Sequence, residues 1–227
     1  MSGRVTAYAA AALLWAAGAD LAHAECPPPD EARIFVTVSF EPIETSFDVS
    51  LAELERLAVA AGREAHMPLM AVYSSSVVFS ARIQTRAKRI AAHRSCGAAK
   101  SIDVDIVVRK RTIHAARELR DMPCLLKAAT DHAAAHARYQ EDSLSAARET
   151  IASNLSARLR ASSPTARSAT EAEREISRIV SAQIDADLAS IDADKAVAAR
   201  AIDSPEALEK LKAACPNEQA GFVNERT

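Results

Sequence analysis

The chain has 227 residues, with 28 Lys and Arg against 30 Asp and Glu, for a formal charge of −2. This balance excludes a protein that holds nucleic acid mainly by neutralising phosphates. Aromatic residues make up 4% and glycines number 5, which is poor material for phosphate-cradling loops and favours helices packed through small side chains.

Residues 1–24 read as a signal peptide. Arg4 forms a thin n-region, and Val5 to Ala17 is an apolar stretch of about 13 residues, too short to span a bilayer comfortably. Ala22-His23-Ala24 then offers small residues for cleavage. The expected mature chain, Glu25 to Thr227, is exported to the periplasm or secreted and keeps no stable membrane span. It reads as a single domain, 25–227, with a sheet-rich half (25–122) and a helical part (123–215). Its 4 cysteines, Cys26, Cys96, Cys124 and Cys215, predict two disulfides in an oxidising compartment.

Pro27, Pro28 and Pro29 make the beginning of that chain extended. Arg33 to Phe40 alternates as a strand, apolar on both faces, and Pro42 ends it. Ser50 and Glu53 form a capping box for a short helix carrying Leu51, Leu54, Leu57 and Ala58, with its stop at Gly62. After Pro68, Leu69 to Ile83 reads as one strand, two, or one with a bulge. Arg82, Arg86, Lys88, Arg89, His93 and Arg94 follow as a solvated face or strand edge.

Ile102, Val104, Ile106 and Val108 alternate with Asp103, Asp105, Val107 and Arg109. A turn at Lys110-Arg111 would return the chain as a second strand, Thr112 to Leu119. Val108 would then face Ile113, and Ile102 would face Leu119. In that register Cys96 and Cys124 meet at the open end of the hairpin, which predicts the bridges Cys96–Cys124 and Cys26–Cys215. Asp103, Asp105, His114 and Glu118 would share the polar face.

From Leu125 the chain turns helical for about 36 residues, with the stripe Leu144, Ala147, Ile151, Leu155 and Leu159. Projected backwards, the stripe passes through Ala137, Ala133 and Leu126. His136 lies about 80° and His132 about 120° off it, on one flank, looking towards the sheet or a cleft. After Pro164 a second helix carries Ile176, Val180, Ile184, Leu188, Ile191, Ala198 and Ile202, capped by Ser168 with Glu171 or Thr170 with Glu173. Ser204 and Pro205 start a third helix that ends near Cys215. The expected fold class is therefore α+β: a small antiparallel sheet with a short helix, then a long antiparallel helical hairpin and a short terminal helix.

His132 and His136 stand at the i, i+4 spacing that brings two imidazoles to one metal ion. The segment Ile113 to His136, IHAARELRDMPCLLKAATDHAAAH, resembles secreted bacterial proteins of uncharacterised function with a zincin-like HExxH helix. Ala116-Arg117-Glu118, Pro123, Cys124, His132 and His136 match that pattern. Ala201 to Cys215 is similar to the way those proteins end, so the likeness covers roughly Cys96 to Cys215. The resemblance implies zinc as the metal but does not identify a third ligand; by position the candidates are Glu141 and Asp142 one turn on, or His114 and Glu118 from the hairpin.

Ala133 departs from the pattern, because the residue after the first histidine is the glutamate that activates water in such hydrolases. A non-catalytic zincin-like scaffold that binds a partner protein in the periplasm or envelope is the expected function. The alternative is a metal-binding protein or zinc-dependent hydrolase using His132 and His136.

Overall fold

A computed structural model describes Cys26 and residues 31–60, 69–162 and 164–218. The expected signal peptide, the proline run and the helix stop at Gly62 lie outside the described residues. The elements in order are β1 (Arg33–Phe40), β2 (Glu44–Ser46), α1 (Leu51–Ala60), β3 (Ala71–Ala91) and β4 (Arg94–Ala115). A 3-10 turn (Arg117–Asp121) leads to α2 (Pro123–Arg160), β5 (Thr165–Ala166), α3 (Ala169–Ile202) and α4 (Pro205–Ala214).

The sheet is built around β4, a strand of 22 residues. β3 pairs with it antiparallel from Ala71↔Ala115 to Ala91↔Arg94, closing through a two-residue turn at Ala92 and His93. On the other side β1 and β2 both run parallel to β4 at one common offset, Phe40 beside Val108 and Glu44 beside Thr112. β5 adds two residues antiparallel beside Ser95 and Cys96. The sheet is thus three strands wide along most of its length.

This arrangement overturns the expected small antiparallel sheet followed by a separate helical hairpin. The sheet is large and contains parallel pairs, and α2 and α3 pack on its face. The expected turn at Lys110-Arg111 is a bulge inside β4. Ser74 pairs with Thr112 and Ser76 with Arg109, so two residues of β4 oppose one of β3. Lys110 sits there at φ 51, the positive-φ geometry that a bulge can require.

The bulge moves the inward-facing positions from even numbers (Ile102, Val104, Ile106, Val108) to odd ones (Arg111, Ile113, Ala115). Arg111 turns inward and is held there. Its Nη1 donates to the Glu41 carbonyl (2.7 Å) and its Nε to the Tyr73 hydroxyl (3.1 Å), while Nη2 pairs with Glu141. Desolvation works against its charge, but the bonds to Tyr73 and Glu141 outweigh it and hold the guanidinium pKa above the usual value.

Two apolar clusters hold the layers together. Ile102, Val104 and Ile106 of β4 meet Ile151, Leu155 and Leu159 of α2 and Ile176, Val180 and Ile184 of α3. The second cluster joins Leu51 and Leu54 of α1 to Ile113, Leu119, Leu125, Ala129, Ala133 and Cys215. Among the described residues the helices cover one face only. Phe35, on the opposite face of β1, is 60% exposed, so the strand is not covered on each side as its composition suggested.

Straightening residues 94–115 into one strand also rearranges the disulfides. Cys96 and the end of β4 are about 60 Å apart at strand rise, so Cys96 cannot reach Cys124. The bridges are Cys26–Cys96 and Cys124–Cys215, in place of the expected Cys96–Cys124 and Cys26–Cys215. Two disulfides belong to an oxidising, extracytoplasmic compartment. Among the described residues no helix is long and apolar enough to cross a membrane.

Candidate metal centre

α2 begins without a side-chain cap of its own. Glu218 supplies one from the far end of the chain, accepting from the Cys124 and Leu125 amides at 3.2 and 2.8 Å. Its charge also suits the positive end of the helix dipole. The Cys124–Cys215 bridge fastens the same corner, with Cα atoms 5.8 Å apart. Glu218, Cys124 and Cys215 converge, but both sulfurs are spent in the disulfide and offer no thiolate for a metal.

Two turns further on, His132 and His136 project from one flank of α2. Their ring centroids lie 5.3 Å apart, with planes crossed at 76°. Facing them is Asp203, the residue that ends α3. The Asp203 amide still bonds back to the Ala199 carbonyl (2.8 Å), but its φ of −89° and ψ of 23° stop the helix. Ser204 then caps α4 by accepting from the Ala207 amide at 3.3 Å. The α3–α4 corner therefore delivers one carboxylate to the histidine flank.

Asp203 Oδ1 lies 3.0 Å from His132 Nε2 and 2.9 Å from His136 Nε2. In the Nε2–H tautomers both rings donate to the one oxygen. With side-chain exposures of 20%, 15% and 28%, the three groups are sheltered but open to an ion from solvent. Donors about 2.0–2.1 Å from a tetrahedral zinc lie about 3.3 Å from one another, so each Asp203–histidine separation is within a few tenths of an ångström of what the ion needs. Two imidazoles and a carboxylate leave a fourth position for water.

The third ligand sought from sequence is none of the four residues named for it. Glu141 pairs with Arg111, Asp142 is exposed, and His114 Nε2 lies 3.0 Å from the Ser74 hydroxyl. Glu118 accepts from the Leu51 amide at the start of α1. Asp103, Asp105 and His114 do share the strand face away from the helices, because the bulge shifts the phase, but His114 lies nine residues beyond Asp105 along β4 and Glu118 lies in the 3-10 turn. The histidines look to the α3–α4 corner instead of the sheet. Asp203 carries one sequence signal only, the helix-ending Asp-Ser-Pro, which marks a corner without saying what the corner faces.

Ala133 points elsewhere. It is 1% exposed within the apolar cluster that includes Leu125 and Ala129. Position 133 therefore belongs to the core-facing side of α2, and the missing glutamate has no polar room there.

The chain matches no family model, no curated protein and no solved structure.

Proposed function

We propose that this protein binds a divalent metal ion, zinc by its donor set, through His132, His136 and Asp203 in an extracytoplasmic compartment. The observation that carries this reading is the convergence of three ligand atoms, all within 4.8 Å of one another, from two helical elements 67 and 71 residues apart in sequence. Imidazole nitrogen with carboxylate oxygen is a zinc-type set. The HAAAH spacing and its likeness to zincin helices support the same ion. With Ala133 in the core, the ion is bound on a scaffold that lacks the usual general base.

Metal analysis of the tag-free, disulfide-bonded protein tests this. One zinc per chain is expected, lost in His132→Ala and His136→Ala. An Asp203→Asn variant should bind at least about tenfold more weakly. Wild-type protein that takes up no stoichiometric metal leaves His132, His136 and Asp203 as a hydrogen-bonded clasp and ends the proposal.

A second reading, contact with a partner protein in the periplasm or envelope, is favoured by one observation. Phe35 stands on the uncovered sheet face beside Asp103. A photo-crosslinker at position 35 that captures one defined envelope protein, with capture abolished by excess wild-type protein but not by excess Phe35→Ala, would support it. Crosslinks to many unrelated proteins would refute it.

A further inference from the structure

Apart from the histidine site, α2, α3 and the edge of the sheet enclose a groove of about 210 Å³. Val77 of β3 forms its floor. Val77 pairs with the buried Val108 and so faces the helical layer, yet it is 37% exposed, because the helices do not close over it. Leu144 of α2 and Leu188 and Ile191 of α3 supply the walls, so the lining is mainly aliphatic.

The polar groups at this groove are mostly donors. Gln140 is only 5% exposed. Arg111 donates to the Tyr73 hydroxyl, so that hydroxyl must donate onward, at 2.8 Å, to Gln140 Oε1. Ser75 donates to the same oxygen at 3.0 Å. This fixes the orientation of the amide and leaves Nε2, a donor without a partner among the described residues, on the groove side. An incoming acceptor can take the place of solvent at this amide.

Ser143 adds a hydroxyl, and Lys195 stands at the mouth with its Nζ 3.8 Å from Asp192. Asp192 is 80% exposed, so this pair is a solvent-screened one that constrains Lys195 little. α3 runs antiparallel to α2, with Asn154 beside Asp187 and His136 beside Asp203. Gln140 and Lys195 therefore lie towards one end of the groove and Leu188 towards the other.

We propose that this groove binds a small amphipathic carboxylate, its head group on Gln140 Nε2, Ser143 and Lys195 and its aliphatic tail along Leu144, Leu188, Ile191 and Val77. The volume falls below the roughly 300–1,000 Å³ of sites for drug-sized molecules, which limits the tail to about six to eight carbons. Asp192 also lines the groove, but its carboxylate is 80% exposed against 34% for Lys195. A cationic head would therefore meet Lys195 and two donors on the more sheltered side, and a wholly apolar ligand would leave the Gln140 amide without an acceptor. The groove shares no residue with the histidine site.

Calorimetric titration of the full disulfide-bonded protein with sodium octanoate tests the proposal, with octylammonium as the control. One-site, saturable octanoate binding is expected, with octylammonium at least tenfold weaker. Leu188→Trp should fill the groove and abolish binding, and Lys195→Glu, a rim change that spares the core, should weaken it at least tenfold. Circular dichroism checks that each variant is folded. Should Leu188→Trp not fold, Lys195→Glu decides alone. Unsaturable binding, equal affinity for the amine, or wild-type affinity in a folded variant would overturn the assignment.

Discussion

Cys124 is bonded to Cys215, and the 91-residue loop they close contains His132, His136 and Asp203. The bridge and the histidine clasp thus fasten the same corner, where α4 returns to the start of α2. A cross-link over a loop of this length stabilises mainly by restricting the unfolded chain. Paired Cys124→Ser and Cys215→Ser changes should lower unfolding free energy by about 2–5 kcal/mol, read by urea titration. Because α4 would also loosen, zinc affinity should fall with it. Unchanged affinity would show that Asp203 is positioned by α3 alone.

Gly97 marks where α3 meets β4. A Cβ built there would lie 3.0 Å from both the Ala172 Cβ and the Ile176 Cδ1, and 3.2 Å from the Ala172 carbonyl oxygen. The backbone carbonyl cannot move without shifting the first turns of α3. Gly97→Val should therefore cost about 1–3 kcal/mol by overpacking, measurable as a lowered denaturation midpoint. Gly97→Ser should cost less.

Local signals in the chain account for several elements. The Ser50–Glu53 box does start α1, and Ser168, not Thr170, caps α3 by accepting from the Glu171 amide at 3.2 Å. Leu144, Ile151, Leu155 and Leu159 face the core of α2 as their spacing requires. The strand register is not legible in the same way. A turn and a bulge both break alternation, and the change of inward phase between Val108 and Arg111 fits either until the partner strand is known. The parallel pairing of β1 with β4 joins segments 68 residues apart and leaves no local trace. The cysteine pairing depends on that register and is lost with it. At the site, the histidine spacing on α2 is readable, but Asp203 depends on how the α3–α4 corner docks, which is a tertiary matter.

The α1 capping box carries a pH dependence of known sign. Glu53 accepts from the Ser50 amide at 2.7 Å, from its hydroxyl at 2.8 Å and from Arg117 at 3.0 Å. The backbone bond from Ser50 is the main reason its pKa lies below the ordinary 4.5, with Arg117 adding to it. The stabilisation is therefore complete above the unfolded value and is lost as pH falls through the lower folded value. Glu53→Gln should remove this part of the acid limb when urea midpoints are compared from about pH 7 down to about pH 3. An acid limb unchanged in the variant would assign it to other carboxylates.

Ala133→Glu separates a hydrolase that lost its base from a helix whose position 133 belongs to the core. The methyl group of Ala133 is 1% exposed in the cluster with Leu119, Leu125 and Ala129. A carboxylate there must enter that cluster charged, protonate, or force α2 away from the 3-10 turn, and each route is unfavourable. The variant should lose about 3 kcal/mol or more in urea unfolding and gain no peptidase activity with zinc supplied. Asp203 should then still hold both imidazoles, because they occupy a different flank of the helix. A stable Ala133→Glu protein that hydrolyses peptides in a zinc-dependent way would instead place position 133 beside the metal.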